Sequence, residues 1–370
     1  MMIEKKQRSC NLDVIRIFAF LCVVSVHFFR NSGFYDHIVE GSSMFLMTAM
    51  RNFYMICVPL FMILSGYLLK DKAPRKSYYI KIFQTLGIYL LASMACAGYK
   101  LLFDRENFSF MGSILGLFTF STAPYSWYIE MYLGLFLLIP FLNRMYNGLT
   151  QKRKKLLVGI FFALTALPSV MNIWQLFNLS WWLKPSVSQN YDYLIPDYWI
   201  ELYPITYYFI GCYLREYPLK LKRSTNLWCI FGVFVLSGVF NVYRSLGEVF
   251  VGGSWSEHRS FFVAIQSILV FNYLNQLDLT CVGEKTGHML KKLSSWTLGA
   301  YLCSSVFDNL FYKILTASEP AMERRILYFP VIVLAVSVCS LALSAVLNWI
   351  YTLLEKLVKK CGLHRVGVKT

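Results

Sequence analysis

A chain of 370 residues that is 57% hydrophobic and only 15% charged, with a mean hydropathy of +0.49, lies well outside the composition of soluble globular domains, which excludes the soluble classes. Its net charge of +16 and pI near 9.3 raise nucleic acid as a partner. The basic residues, however, are dispersed through short loops rather than gathered in one patch, so no nucleic-acid partner is expected.

Spans of roughly 20 apolar residues predict an all-α, polytopic integral membrane protein with about ten transmembrane helices. They lie near 11–29, 47–69, 79–102, 126–142, 155–172, 198–215, 226–245, 260–277, 294–315 and 326–354. The first follows Lys5, Lys6 and Arg8 as a signal peptide's apolar run would, but it contains Arg16 and no small-x-small cleavage site, so it is read as a retained span. An even number of spans puts both termini on one side. The loops on that side carry Lys70, Lys72, Arg75, Lys76 and Lys81, then Arg144, Lys152, Arg153, Lys154 and Lys155, and after the last span Lys356, Lys359, Lys360, Arg365 and Lys369. Arg51 and Arg244 fall on the poorer side. This bias predicts cytoplasmic termini in a multi-pass protein of the plasma membrane. No soluble domain is left over, and residues 1–370 read as a single membrane-embedded domain. The ten cysteines, Cys281 and Cys361 among them, show no metal-ligand spacing and read as small apolar packing residues; no metal is expected.

Within the first span, "NLDVIRIFAFLCVVSVHFF", Arg16 and His27 are eleven residues apart. On a helix they differ by about 20° and lie about 16 Å apart along the axis, with Asp13 about 60° from Arg16 and Phe20 on the same stripe. A charge at bilayer depth costs roughly 3 kcal/mol or more unless it faces protein or a wet cavity. A polar chamber accounts for three such residues on one stripe. The plainer reading is that Asp13 and Arg16 pair at the helix end and His27 is an interfacial histidine. Functionally, histidine serves as a general base near neutrality, and arginine offers a rigid fork of donors for phosphate or an oxyanion. A base near the outer surface with an anion binder three turns below suits chemistry across a membrane, with a phosphate-rich donor entering from the cytoplasm and an acceptor outside.

The second span ends "VPLFMILSGYLLKDK", in which Pro59 can kink the helix, Gly66 permits close helix approach, and Ser65 and Tyr67 add hydroxyls. The fourth opens "YSWYIEMYLGLFLLIPFLN"; Trp127 is a natural interfacial anchor, and Glu130 is a further intramembrane acid. The longest outer loop, near 173–197, is rich in Trp and Tyr and reads as an interfacial belt or as a platform on which a sugar stacks.

In order along the chain, Asp13, Arg16 and His27, then "VPLFMILSGYLL", then "SWYIEMYLGLFLLIP", and more weakly "SSWTLGAYLCSS" at 294–305, resemble the acyltransferase 3 family of integral-membrane enzymes. That resemblance implies a membrane-bound O-acyltransferase, taking an acyl group, acetyl above all, from cytoplasmic acyl-CoA to a hydroxyl of an extracytoplasmic carbohydrate or lipid-linked sugar. It implies no permanently bound cofactor, with acyl-CoA as co-substrate and the lipid bilayer as surroundings. His27 becomes the base or acyl-handling residue, Arg16 stabilises the donor, Asp13 orients Arg16, and Ser65, Tyr67, Trp127 and Glu130 are cavity residues. Many relatives have a histidine where this chain has Ser304, and an aromatic-histidine pair where it has Tyr125 and Ser126. Relatives often carry an extracytoplasmic esterase-like domain as well; this chain is expected to complete transfer in the membrane domain or with a separate extracytoplasmic partner. A transporter or flippase using the polar stripe, and a sensor in which the stripe only locks helices together, are the alternatives, although no internal repeat of the kind common in transporters is seen.

Overall fold

A computed structural model describes residues 10–279 and 282–360; Lys5, Lys6, Arg8, Cys281, Cys361, Arg365 and Lys369 lie outside the described residues. The architecture is all-helical, with no strand among the described residues. Five segments are long and apolar enough to cross a membrane: Cys10–Asp36, Gly41–Leu69, Lys76–Phe103, Arg223–Arg244 and Met322–Lys360. The other expected ranges also hold helices, but these are shorter or carry more polar residues.

We number the helices of nine residues or more α1 (Cys10–Asn31), α2 (Gly41–Tyr54), α3 (Cys57–Leu69), α4 (Ile82–Phe103), α5 (Phe110–Phe118), α6 (Trp127–Asn147), α7 (Gln151–Ala166), α8 (Tyr203–Glu216), α9 (Arg223–Arg244), α10 (Phe261–Asn275), α11 (Glu284–Ser318) and α12 (Phe329–Lys360). The chain divides into two compact units. The first comprises residues 1–73, 138–294 and 314–333, and the second 74–137, 295–313 and 334–370.

The segment expected as one kinked second span is two helices, broken at Met55 and Ile56. Pro59 explains the break. In a continuous helix the Met55 carbonyl would accept from the N–H of residue 59, which proline lacks. Pro59 instead sits in the first turn of α3, where an N–H has no intrahelical partner anyway. The orphaned Met55 carbonyl accepts from Nδ1 of His258 at 2.9 Å.

In the first unit α1 packs on α2, α3 and α10, and α3 packs on α8. The α3–α8 crossing brings backbone against backbone: a Cβ on Gly66 would stand 2.0 Å from the Tyr208 carbonyl oxygen, and one on Gly211 2.0 Å from that of Ile63. Only glycine fits at either place. Helix ends are satisfied by side chains both near and far in the chain. Ser260 caps α10 by accepting from the Val263 N–H at 3.2 Å, and Asn11 donates to the Leu274 and Leu277 carbonyls at 3.0 and 2.8 Å, at and just beyond the C-terminal end of α10. At the ends of α3 and α8 the Glu216 carboxylate joins Lys70 and Lys154, each 2.8 Å away, and Lys154 also lies 4.7 Å above the Tyr146 ring. Two cations of the expected basic loops are thus consumed by a structural knot, while Lys72, Arg75, Lys152, Arg153 and Lys155 stay exposed.

In the second unit Tyr78 stacks on Phe136, ring centroids 4.3 Å apart, and donates to its carbonyl at 2.7 Å. Ser344 of α12 donates to the Trp296 carbonyl at 2.6 Å, and a Cβ on Gly299 would stand 2.4 Å from the Ser344 hydroxyl. Cys96 of α4 contacts the Leu302 carbonyl at 3.6 Å. Cys22, Cys57, Cys96, Cys212 and Cys303 are buried and none of the described cysteines forms a disulfide, as packing residues would be; Cys229 alone is exposed.

Candidate functional site

Along α1 the predicted stripe exists as a physical strip. Asp13 is 3% exposed, Phe20 is fully buried, His27 is 8% exposed and Arg16 is half-buried. The C-terminal half of α1 is buried on other sides too, through Cys22, Val23, Val24, Phe28 and Phe29, so burial alone does not set the stripe apart. What does is chemical: near the N-terminal end Arg16 donates from Nη1 to the Ser294 hydroxyl at 3.1 Å, and Ser294 opens the stretch "SSWTLGAYLCSS". Two motifs recognised separately in the sequence therefore touch. Beside His27, Phe28 lies 5.0 Å and Phe29 5.9 Å from the Phe329 ring, which Tyr54 stacks on at 5.6 Å. These rings give the C-terminal end of α1 an apolar aromatic wall.

Ser65 and Tyr67 leave α3 about 200° apart and do not line one surface. Ser65 donates to the Phe61 carbonyl of its own helix at 2.8 Å, and the Tyr67 ring packs 5.5 Å from Phe271 of α10. Trp127 and Glu130 belong to the second unit. Trp127 is 40% exposed and Glu130 is exposed in the first turn of α6, where the helix N-terminus favours a carboxylate. Among the buried residues of that stretch, Tyr125 donates to the Asp308 carboxylate at 2.8 Å, and its carbonyl accepts from the Tyr301 hydroxyl.

Asp308 is the functional candidate that sequence reasoning missed. It is 3% exposed at mid-length in α11, on a buried strip with Thr297, Tyr301, Ser304 and Tyr312, each three or four residues from the next. That i, i+3, i+4 repeat of hydroxyl-bearing residues was the available signal. Arg51 and Arg244, counted on the side poorer in Lys and Arg near the ends of the expected spans 47–69 and 226–245, are both buried. Arg51 donates to the Tyr35 hydroxyl at 2.9 Å, to Oδ1 of Asn52 at 3.1 Å and to the Ser256 carbonyl. His258, outside the spans, has its pKa lowered to about 4, first by burial and further by Arg51 and Arg259, against the opposing bond to Met55. Among the described residues no three His, Cys, Asp or Glu side chains gather as metal ligands would.

The acyltransferase domain family matches residues 11–349, nearly the whole chain and both compact units. The chain belongs to the acyltransferase 3 family. No curated protein and no solved structure matches it. Membership makes the chain a membrane acyltransferase and brings a common setting to the residues just described. In this acyltransferase the first matched position, 11, is the Asn11 that ties α1 to the end of α10, and the match runs through α11, where Ser294 meets Arg16.

Proposed function

We propose that this acyltransferase moves an acetyl group from cytoplasmic acetyl-CoA to a hydroxyl of an extracytoplasmic carbohydrate or lipid-linked sugar. The observation that carries the reading is the α1 strip, with His27 and Asp13 buried and Arg16 bonded to Ser294, inside a family match over residues 11–349. In this reading neutral His27 takes the proton of the acceptor hydroxyl as its oxygen attacks the thioester carbonyl. The new C–O bond forms, the C–S bond breaks, and the proton passes from His27 to the departing thiolate to give free CoA. Arg16 holds the charge of the donor, and Asp13 orients Arg16. The reading takes about ten spans from the apolar runs and cytoplasmic termini from the Lys/Arg distribution, in a plasma-membrane setting.

The test is transfer of labelled acetyl from acetyl-CoA to surface polysaccharide by reconstituted protein. General-base catalysis contributes about 10²–10⁴-fold, so His27→Ala, inserted and folded, should lose at least a hundredfold. Full transfer by that variant would remove His27 from the mechanism. Transfer of an intact solute into vesicles without acetyl-CoA would replace the reading with transport.

A further inference from the structure

The loop expected as a belt or a platform has a core of its own. Ile173, Val251 and Trp255 are buried together, with Trp174, Tyr191 and Phe240 packed against them. At its centre stands Arg244, the last residue of α9, with no exposed surface. Its guanidinium carbon lies 4.4, 4.8 and 5.1 Å from the ring centroids of Trp255, Trp181 and Tyr191, and Nη2 donates to the Tyr191 hydroxyl at 2.6 Å. Nε and Nη1 have no acceptor. A buried cation held by aromatic faces rather than a carboxylate is costly. A passive interfacial belt, which needs only rings at headgroup depth, has no use for such a device; a loop that must keep one shape does.

The shape it keeps is a cleft of about 340 Å³ lined by Gln175, Phe177, Asn178, Asn190, Tyr191 and Asp192, within the range of small-ligand sites (~300–1,000 Å³). Its walls are braced from within. Asn178 donates to Gln175 at 2.7 Å and accepts the Trp181 N–H at 3.2 Å, Gln175 donates to Ser188 at 2.9 Å, and Asp192 accepts the Leu176 N–H at 2.7 Å. The carboxamide of Asn190 and the ring of Phe177, which is fully exposed, take part in none of these bonds. Burial raises the Tyr191 phenol above its ordinary range against the pull of Arg244, so it stays protonated; with Arg244 on its oxygen, its own hydrogen is left to give.

With Gln175 and Asn178 spent on this bracing, the lining offers the Asn190 carboxamide, the Asp192 carboxylate, a phenol and an exposed ring, with no aliphatic side chain and no cation. Planar amides and carboxylates match the paired donors and acceptors of vicinal hydroxyls, and an aromatic ring matches the apolar C–H face of a sugar. A phosphate or uronate would meet Asp192 with no opposing charge. Leu179 and Leu183 of the same loop, 75% and 73% exposed, are four apart on one short helix and form an apolar edge outside the cleft lining.

We propose that this cleft binds a ring of an uncharged glycan, and that it is the acceptor subsite of the enzyme; the second clause rests on the acyl-transfer reading above. The experiment is an array of neutral hexose and N-acetylhexosamine oligosaccharides beside uronate-bearing ones, probed with the full chain in nanodiscs and no acyl donor. Wild type should bind neutral chains in preference to uronates, and the F177A/N190A double variant should bind them at least tenfold more weakly. Both side chains are exposed and outside the bracing bonds, so the variant keeps the loop. No neutral-glycan binding, a preference for uronates, or an unchanged double variant overturns the proposal whatever transfer does. As a second probe, the emission of a Phe177→Trp variant should shift with neutral sugar; quenching by nitroxide-bearing lipid without a sugar response would make the residue part of the membrane belt and overturn the proposal as well. Binding as expected together with no acetyl transfer from acetyl-CoA would sink the acyl-transfer reading and leave the glycan site standing.

Discussion

The strip on α1 and the strip on α11 solve the same physical problem with different chemistry. Both bury polar groups along one face of a long helix. On α1 the groups are ions or ionisable, Asp13, Arg16 and His27, spread over about four turns with apolar residues between. On α11 they are hydroxyls in close succession around one acid, and Oδ2 of Asp308 accepts from the Tyr125 phenol at 2.8 Å. The difference teaches that a dense run of neutral donors is suited to holding helices in place, whereas widely spaced ionisable groups are suited to handling charge that arrives and leaves.

The sharpest way to break that comparison is to alter one residue on each strip. His27→Ala should lower acetyl transfer at least a hundredfold, and Asp308→Asn, which still accepts from Tyr125, should lower it less than tenfold. Equal losses with both variants folded would mean that the two strips share one role. The partly buried His258 of the first unit offers the next test. Because His258 is held neutral with its pKa lowered to about 4, the unfolded chain binds its proton first as pH falls. Its stabilising contribution is complete above about pH 6.5 and is lost on going down towards pH 4, a change of roughly 3 kcal/mol. Unfolding midpoints in nanodiscs should drop across that window, and His258→Gln should flatten the drop. A midpoint independent of pH there would place a charged histidine in the fold.

A smaller effect belongs to the Tyr125–Asp308 pair. Asp308→Leu leaves a buried phenol without its acceptor and should destabilise by about 1–3 kcal/mol, while adding Tyr125→Phe to it should cost less than the separate effects combined. Additive losses would show that the bond contributes nothing of its own. The smallest expected change is at Ser65. Its hydroxyl is already spent on the Phe61 carbonyl, so Ser65→Ala should leave transfer within about twofold and stability within about 0.5 kcal/mol.

Hydropathy made α1 legible almost to the residue, 11–29 expected and Cys10–Asn31 found, because a helix in lipid must bond its own backbone and has few ways to differ. It placed a kink at Pro59 but not the full break, since the break depends on His258, two hundred residues away, supplying the missing donor. The α1 strip was legible because charge in an apolar run stands out. Asp308 was not, because one acid among Tyr, Ser and Cys hardly lowers the hydropathy of its window, and its partner Tyr125 lies in another helix's approach. Trp127 and Glu130 drew attention by residue type, but the direction in which a side chain leaves the start of α6 is decided by the turn before it. That turn is shaped by the Ser126 hydroxyl bonded to the Ala123 and Phe120 carbonyls at 2.6 Å each.

The broken helix at Met55 ties two distant positions to a single history. While residue 59 is proline, the Met55 carbonyl requires a donor from outside its helix, and position 258 is bound to provide one. A chain with Pro59→Ala regains an N–H at that site and releases position 258 from its duty, so His258→Ala should be better tolerated beside Pro59→Ala than alone. Across descendants of this sequence the two positions are free to change together and constrained when they change singly, a dependence written by one absent hydrogen.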